Sequence, residues 1–357
     1  MKSLLFLYFF VAMAFSAVAS SVSESYVIPY PQQMSVGDGH FVLQKNASFS
    51  CNLKGADKED FVKYVGQSPF ALTYKKRGKT DIVFKLLSPK QSQMKEEAYR
   101  LEVTKKGIQV EATSASGLFY AFQSINQLVQ PAGNNTFLLP EVTIEDAPRF
   151  AYRGMHLDVS RHFYTKEFVK KQLDALARYK LNRFHWHLTD GAGWRIEIKK
   201  YPELTRETSY RPFPDWKSWW NGGRTYCRQD APGASGGYYT QEDVKEIVEY
   251  ARQRHITVIP EIEMPAHSNE VLAAYPELSC THEPGKQSDF CVGNEKTFEF
   301  LEDVLTEVME LFPSEYIHIG GDEASTNHWK QCPDCQARMK EEGMKEEGEL
   351  QEYLVSR

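Results

Sequence analysis

The sequence predicts an α/β chain made of a small α+β domain, residues 20–147, and the N-terminal half of a (β/α)8 TIM-type barrel, residues 148–357. In the first block, short segments alternate apolar and polar residues, as in an antiparallel sheet with one exposed face. From residue 152 onward, strand-like and helix-like segments alternate, which indicates parallel βαβ units. A complete barrel has eight such units and the chain has four. We therefore expect a truncated product, with a complete, smaller open sheet as the alternative.

Each domain has its own set of predicted elements. In the α+β domain, Leu118, Phe119 and Phe122 begin an apolar face at helical spacing, and Pro131 ends that helix. Thr165 is the predicted N-cap of the first barrel helix. The predicted strands are 41–43, 81–86, 99–103, 107–112, 152–159, 181–188, 256–262 and 316–320, and the predicted helices are 116–129, 165–179, 240–254 and 294–312.

The N-terminus has the pattern of a signal peptide. Lys2 precedes an apolar run over 4–18, and Ala17-Val18-Ala19 is a small-residue cleavage pattern. We expect residues 1–19 to be removed and the protein to be exported, to the periplasm or the medium. A membrane anchor is the alternative, but the run is short for a span, and we expect no membrane span after cleavage. The net charge of −6 gives no reason to expect a nucleic-acid partner.

The six cysteines of an exported chain are candidates for pairing. Cys280 and Cys291 flank a polar loop, and a disulfide between them would close it. Cys332-Pro-Asp-Cys335 has the spacing of a zinc knuckle, but no second Cys or His pair stands at matching spacing. A local disulfide or two free thiols is therefore favoured over a metal.

All four predicted barrel strands carry ionisable residues at their carboxyl ends, where the functional residues of a parallel barrel lie. A single such residue would be explained as a satisfied polar group, but four clusters at one edge indicate an active site. The strand ends are Asp158-Val159-Ser160-Arg161-His162, His185-Trp186-His187-Leu188-Thr189-Asp190, Glu261-Ile262-Glu263-Met264-Pro265-Ala266-His267 and Gly320-Gly321-Asp322-Glu323.

The adjacent carboxylates Asp322 and Glu323 are the first candidates for catalysis. Two neighbouring carboxylates in a dry pocket do not both ionise easily, so one of them keeps its proton at neutral pH. Cleavage of a glycosidic bond needs such an acid to protonate the leaving oxygen. Gly320 and Gly321 allow a sharp turn and a close approach by a ligand. An acidic pair on a surface loop is the alternative.

Arg161, His185, His187 and His267 are the other candidates. The planar guanidinium of Arg161 suits two neighbouring sugar hydroxyls, with an ion pair to Asp158 as the alternative. His185 and His187 lie on one face of a strand, where hydrogen bonding to a polyol is favoured over a metal pair. His267 is either a charge partner of a carboxylate or a structural residue.

These strand ends resemble the signature strands of glycoside hydrolase family 20, the β-N-acetylhexosaminidases. The resemblance covers residues from about 140 to 330 in the order of the family, and the leading α+β block resembles the domain that commonly precedes this barrel. The segments that carry it are 153–162, 185–190, 260–267 and 318–323.

The resemblance implies a retaining exo-glycosidase that removes terminal β-linked N-acetylglucosamine or N-acetylgalactosamine from glycans or chitooligosaccharides. Glu323 would be the general acid and then the base. Asp322 would orient the 2-acetamido group of the substrate, whose carbonyl oxygen would attack the anomeric carbon, a substrate-assisted route known for this family. The expected partner is a glycan with a terminal 2-acetamido sugar, and no cofactor or metal is implied.

The resemblance also implies roles for the surrounding residues. Arg161 would hold the outer hydroxyls of the terminal sugar. Asp190 and His267 would form the charge network behind the acid, and His187 would support Asp190.

The chain departs from the family pattern in several places. Gly191-Ala192-Gly193 stands where an acidic or amide residue is common, and Pro-Ala-His replaces Pro-Gly-His. The family's second barrel half, which supplies aromatic pocket walls and a Tyr that contacts the acetamide, has no counterpart in this sequence. A truncated non-catalytic sugar-binding relative is therefore the alternative function, and a metal-dependent hydrolase using His185 and His187 is a third.

Overall fold

The structure of the protein is a computed structural model that describes residues 27–88 and 90–357. The predicted signal peptide, residues 1–19, lies outside the described residues. Within them, no helix has both the length and the apolar character needed to span a membrane.

The α+β domain is built on one sheet with two helices, counted over the described residues. Its strands are β1 (Gln33–Gln44), β2 (Ser48–Cys51), β3 (Thr73–Tyr74), β4 (Ile82–Leu86), β5 (Tyr99–Thr104), β6 (Gly107–Ala112), β7 (Gln130–Pro131) and β8 (Thr136–Asp146), and its helices are α1 (Gly55–Gly66) and α2 (Ala115–Leu128). The sheet order is β1-β8-β5-β6-β4-β2-β3, with β7 paired to β8. The β5–β6 pair is antiparallel, and α2 buries its apolar face in the domain core.

The barrel domain alternates strands and helices as its sequence pattern predicts. Its elements are β9 (Gly154–Asp158), α3 (Lys166–Arg178), β10 (Arg183–His187), β11 (Thr189–Asp190), β12 (Gly193–Trp194), α4 (Glu203–Thr208), β13 (Tyr210–Arg211), α5 (Trp216–Asn221), β14 (Ser235–Gly236), α6 (Gln241–Arg252), β15 (Thr257–Glu261), α7 (Asn269–Ala274), a 3-10 turn (Pro276–Leu278), α8 (Glu295–Leu311), α9 (Pro333–Glu342) and α10 (Gly348–Ser356). Strands β15, β10 and β9 pair in that order, all parallel. The predicted α+β domain followed by βα units of a TIM-type barrel is confirmed.

Two helices of the barrel domain, α3 and α6, begin where their capping residues predict. The Thr165 hydroxyl accepts a hydrogen bond from the N–H of Phe168 at the start of α3. At α6, Thr240 and Asp243 form a reciprocal capping box that satisfies two backbone N–H groups. These caps fix the residue at which each of the two helices begins.

The fourth predicted barrel strand, 316–320, is not a regular strand. His318 forms one isolated parallel bridge with Glu261. The N–H of His318 donates to the carbonyl of Pro260 at 2.9 Å, and the N–H of Ile262 donates to the carbonyl of His318 at 3.0 Å. Among the described residues this segment pairs on one side only, so a full ladder does not form and the predicted strand was wrong in its extent.

A long loop, residues 191–239, connects β10 to α6 and is organised around Arg195. This side chain is fully buried and donates to the carbonyls of Ser160 at 2.6 Å, Gly237 at 3.1 Å and Ser209. Burial lowers the pKa of Arg195 to about 10. Arg195 therefore fixes both ends of the loop to the segment that leads into Arg161.

Two ion pairs join the domains near the start of the barrel strands, besides the more exposed Arg252–Asp60 pair. Arg153 Nη1 lies 2.9 Å from Glu97 Oε2, and Lys180 Nζ lies 3.1 Å from Asp146 Oδ2. Lys180 also donates to the hydroxyl of Tyr99 at 2.8 Å. Because Arg153 and Lys180 precede β9 and β10, the α+β domain contacts the amino ends of the parallel strands.

The cysteines form neither of the two local disulfides that the sequence left open. All six are free thiols within the described residues, so Cys280 is not bonded to Cys291 and Cys332 is not bonded to Cys335. Instead, these four sulfurs lie in one cluster. The sequence argument found no partner pair for Cys332 and Cys335 because α8 separates the two pairs along the chain.

Candidate active site

The strand register brings ionisable residues together at the carboxyl ends of the parallel strands. On β10, His187 is the partner of Asp158 on β9 and of Glu261 on β15. The bridge to His318 adds the fourth segment at the same level. Parallel pairing therefore assembles one site from four segments far apart in sequence.

Arg161 is held between two carboxylates. Its Nη1 donates to Asp158 Oδ2 at 2.9 Å, and its Nη2 lies 2.6 Å from Asp190 Oδ2. Asp158 also accepts a hydrogen bond from the backbone N–H of Arg161 at 3.0 Å. The ion pair with Asp158 is therefore present, and it fixes Arg161 at the edge of the site with about a third of its side chain exposed.

His267 connects this pair to the two adjacent carboxylates. Its Nδ1 lies 3.6 Å from Asp190 Oδ2. Its Nε2 lies 3.5 Å from Asp322 Oδ2 and 3.4 Å from Glu323 Oε2. The imidazole therefore stands between the buried Asp190 and the Asp322-Glu323 pair.

The backbone around these residues is strained. His267 has φ 50° and Glu323 has φ 55°, both in the left-handed region that non-glycine residues rarely adopt. Gly320, with φ 62°, allows the turn before Asp322, and a Cβ there would overlap the Glu263 carboxyl. Strain of this kind concentrates at functional sites, so it supports this location.

Asp322 and Glu323 do not lie in a dry pocket. Their side chains are 67% and 80% exposed. The described residues thus do not provide the desolvation on which the expected protonation of one member of the pair depends.

Glu263 is one of the carboxyl groups that the structure buries at this site. Its side chain is 2% exposed, and its Oε2 accepts a hydrogen bond from the N–H of Gly321 at 3.2 Å. Burial raises the pKa of Glu263 to about 8; the charge of His187 opposes this rise and that of Asp322 adds to it. Sequence reasoning placed Glu263 at a strand end but gave it no role, because alternation alone does not show how deep a side chain lies.

Glu261 is surrounded by histidines. His185 Nε2 lies 2.8 Å and His187 Nδ1 3.1 Å from Glu261 Oε2, and His318 Nδ1 lies 2.8 Å from Oε1. Burial opposes the ionisation of Glu261. Hydrogen bonds from His156 and His185, together with the charges of His187 and His318, outweigh this effect and hold the pKa of Glu261 well below its ordinary value. The register of β9, β10 and β15 is the signal that identifies this group, since it places these side chains at the same level.

His187 links the buried carboxylates of Glu261 and Glu263 to that of Asp190. Its Nε2 lies 3.6 Å from Asp190 Oδ2 and 3.7 Å from Glu263 Oε1. Burial alone would lower the pKa of His187, but Asp190 and Glu261 produce a net rise. The structure therefore brings together all six predicted site residues: Arg161, His187, Asp190, His267, Asp322 and Glu323.

The chain is similar in sequence to known proteins. Residues 150–357 match "Glycosyl hydrolase family 20, catalytic domain", and residues 24–147 match domain 2 of the same family. A β-hexosaminidase of Porphyromonas gingivalis is 46% identical over 276 residues, covering 73% of this chain and 34% of that protein. One from Vibrio furnissii is 38% identical over 354 residues, covering 94% and 55%.

The structure is also similar to a solved one. A family 20 exo β-N-acetylglucosaminidase from Vibrio harveyi, in complex with N-acetylglucosamine, has a TM-score of 0.78 and 33% identity, covering 90% of this chain and 50% of that chain. The present chain thus spans 34% to 55% of the length of these relatives. From the two matched domains and these identities, the chain belongs to glycosyl hydrolase family 20.

Proposed function

We propose that the protein is a β-N-acetylhexosaminidase that removes terminal β-linked N-acetylglucosamine or N-acetylgalactosamine from glycans or chitooligosaccharides. One observation carries the proposal: His267 Nε2 contacts both Asp322 and Glu323 while its Nδ1 faces Asp190. The names of the relatives support it, as does the N-acetylglucosamine bound to the Vibrio harveyi neighbour. We also propose export, on the signal-peptide pattern of residues 1–19.

Glu323 is the proton donor in this proposal. It protonates the leaving glycosidic oxygen and later removes a proton from the attacking water. His267, charged when protonated, stabilises the carboxylate that remains after the first transfer. Asp190 on the other side of the imidazole orients the ring.

Asp322 manages the nucleophile of the substrate. In this scheme the carbonyl oxygen of the 2-acetamido group attacks the anomeric carbon, and the nitrogen becomes positively charged. Asp322 accepts the N–H of that group and stabilises the charge. Water then attacks the anomeric carbon from the face that the leaving group has left, opposite the acetamido oxygen, and that C–O bond breaks. Two displacements with inversion therefore retain the anomeric configuration.

Arg161 is the proposed contact for the outer hydroxyls of the terminal sugar. Asp158 contacts Nη1 of Arg161, and Asp190 contacts Nη2, so each carboxylate uses one N–H donor of the guanidinium. A guanidinium has five N–H donors. Donors therefore remain for vicinal hydroxyls, and His187 supports Asp190 from the opposite side.

The Glu323→Gln variant tests the general acid. The amide occupies the same space but does not supply a proton, so we expect kcat on an oligosaccharide to fall by roughly 10²–10⁴-fold. The fall should be smaller on a nitrophenyl N-acetyl-β-glucosaminide, because nitrophenolate leaves without protonation. Glu315→Gln, at an exposed position on the same segment, is the matched control. Equal activity of the variant and the unaltered protein on both substrates would refute the assignment.

The Asp322→Asn variant tests substrate assistance. The amide does not neutralise the developing charge, so we expect kcat to fall by roughly 10²-fold. The unaltered protein should cleave the matching glucoside, which lacks the acetamido group, very poorly. Comparable cleavage of the glucoside and the N-acetylglucosaminide would contradict the scheme.

The exposure of Asp322 and Glu323 favours one second candidate, a sugar-binding protein without turnover. In that case the protein binds N-acetylglucosamine by calorimetry and releases no chromophore at any pH. Turnover that disappears in Glu323→Gln excludes this candidate.

A further inference from the structure

Four of the six cysteines form one cluster outside the candidate active site. The sulfurs of Cys280, Cys291, Cys332 and Cys335 all lie within 4.8 Å of one another. The sulfur of Cys291 lies 3.6 Å from that of Cys332 and 3.7 Å from that of Cys335, and the Cys280–Cys335 distance is 3.8 Å. Three of the four are buried and Cys280 is half-buried. The distances are nearly equal, unlike those of two disulfides, in which bonded sulfurs lie about 2 Å apart.

The spacing is that of a tetrahedral metal site. Four thiolates bound to zinc at about 2.3 Å place their sulfurs about 3.8 Å apart along the edges of the tetrahedron. The three distances above fall at that value within 0.2 Å. We propose that Cys280, Cys291, Cys332 and Cys335 bind one structural zinc ion.

The local backbone sets both pairs of ligands in place. Cys332 is the N-cap residue of α9 and Cys335 lies in its first turn. The other pair flanks a loop closed by the N–H of Cys291, which donates to the carbonyl of Leu278 at 2.8 Å. The hydroxyl of Thr297, in α8, donates to the carbonyl of Cys291 at 2.8 Å. Each pair is thus anchored to a helix before any metal binds.

The amino end of α9 lies next to the negative charge that such a zinc site would carry. Binding releases one proton from each thiol, and four thiolates around Zn²⁺ leave a net charge of −2. The amino end of α9 presents unpaired N–H groups and the positive end of the helix dipole to that charge. Soft thiolate donors in a tetrahedral set select zinc over magnesium or calcium.

The cluster joins two loops that frame the candidate active site. One leads from His267 to α8, and the other leads from Glu323 to α9. They also contact each other through the N–H of Ser325, which donates to Asp289 Oδ1 at 3.0 Å, and through Trp329 Nε1, which donates to the carbonyl of Phe290 at 2.9 Å. The zinc ion would therefore hold the Glu323 loop against the His267 loop. The inference does not depend on the proposed function.

Metal content and thiol count test the proposal on the unaltered protein. After purification without chelator we expect about one zinc ion per chain, measured by inductively coupled plasma mass spectrometry. After denaturation with a chelator, all six cysteines should react with a thiol reagent. Two disulfides would leave only Cys51 and Cys227 reactive, with no zinc. That result, stoichiometric iron, or free thiols without metal would overturn the proposal.

Cobalt provides a test of geometry. Replacing the bound metal with Co²⁺ should give intense visible d–d bands and sulfur-to-cobalt charge transfer, the signature of tetrahedral thiolates. Weak bands typical of oxygen ligands would contradict the assignment. This measurement uses the unaltered protein and does not depend on the folding of any variant.

Single substitutions locate the site. Cys335→Ser should lower the zinc content from about one to below about a tenth per chain, and Cys227→Ser, outside the cluster, should leave it unchanged. Cys335→His keeps four nitrogen or sulfur donors and should retain part of the metal. Full zinc content in Cys335→Ser would refute the cluster as the binding site.

Discussion

Glu263 and His187 form a coupled pair beneath the exposed carboxylates. Both are buried, and their nearest polar atoms are 3.7 Å apart. Burial raises the pKa of Glu263 to about 8, above the ordinary value of 4.5. Between those two values the native state holds a proton that the unfolded state has released. Stability therefore falls as the pH rises through this interval.

The Glu263→Gln variant should remove this dependence. We expect the free energy of unfolding of the unaltered protein to decrease by up to about 1 kcal/mol per pH unit more steeply than that of the variant. Urea unfolding between pH 5 and 6.5, below the ordinary pKa of His187, measures the difference. Glu102→Gln, on an exposed strand position, is the control. A slope that is the same in the Glu263 variant would show that Glu263 is ionised in the native protein.

Several residues of the site could be predicted from sequence and others could not. Arg161, Asp190 and His267 follow directly after apolar strands, and the carboxyl ends of parallel strands meet at one edge. The burial of Glu263 depends instead on the turn at Gly320, which brings the fourth segment over its carboxyl. That contact joins residues far apart in sequence and has no local pattern.

At the level of elements, the loop over 191–239 contains only short helices and strands, and one buried side chain connects its two ends. Arg195 donates to carbonyls at Ser160, Ser209 and Gly237. These carbonyls have lost their contact with water, so each needs a donor.

The Arg195→Met variant should loosen this loop. Methionine fills similar volume but donates nothing, and we expect unfolding to become easier by about 3 kcal/mol or more. Limited proteolysis should cut within 212–235 faster than in the unaltered protein. Arg228→Met, an exposed position on the same loop, is the control. Unchanged cleavage rates would show that the loop is held by other contacts.

The elements themselves were well predicted where a cap or a period marks them. Thr165 and Thr240 are the N-cap residues of helices α3 and α6, as the sequence indicates. The segment 316–320 has the composition of a strand, but a ladder also requires neighbours, which composition does not specify. The cysteine cluster was missed for a similar reason, since its two pairs lie on either side of α8 in the sequence and meet only in the folded chain.

For the whole molecule, the two domains are joined by buried charges. Lys180 and Asp146 are nearly inaccessible to solvent, and Lys180 also contacts the hydroxyl of Tyr99. Removing one partner of such a pair leaves the other charge uncompensated, which is more costly than losing an exposed ion pair.

The Lys180→Met variant should weaken the whole fold. We expect a loss of about 3–5 kcal/mol in the free energy of unfolding, measured by urea titration. Lys85→Met removes an exposed pair with Glu111 and should cost less than about 1 kcal/mol. Equal losses in the two variants would contradict the buried role of Lys180.

The domain contact and the candidate site lie at opposite ends of the same short strands. A strand of five residues such as β10 is about 17 Å long at a rise of about 3.3 Å per residue. Substitutions separated by more than about 10 Å with no shared partner usually have additive effects. The chain can therefore accumulate changes at the domain contact and changes in the candidate site independently, and a loss of stability at one end can be compensated there without altering the other.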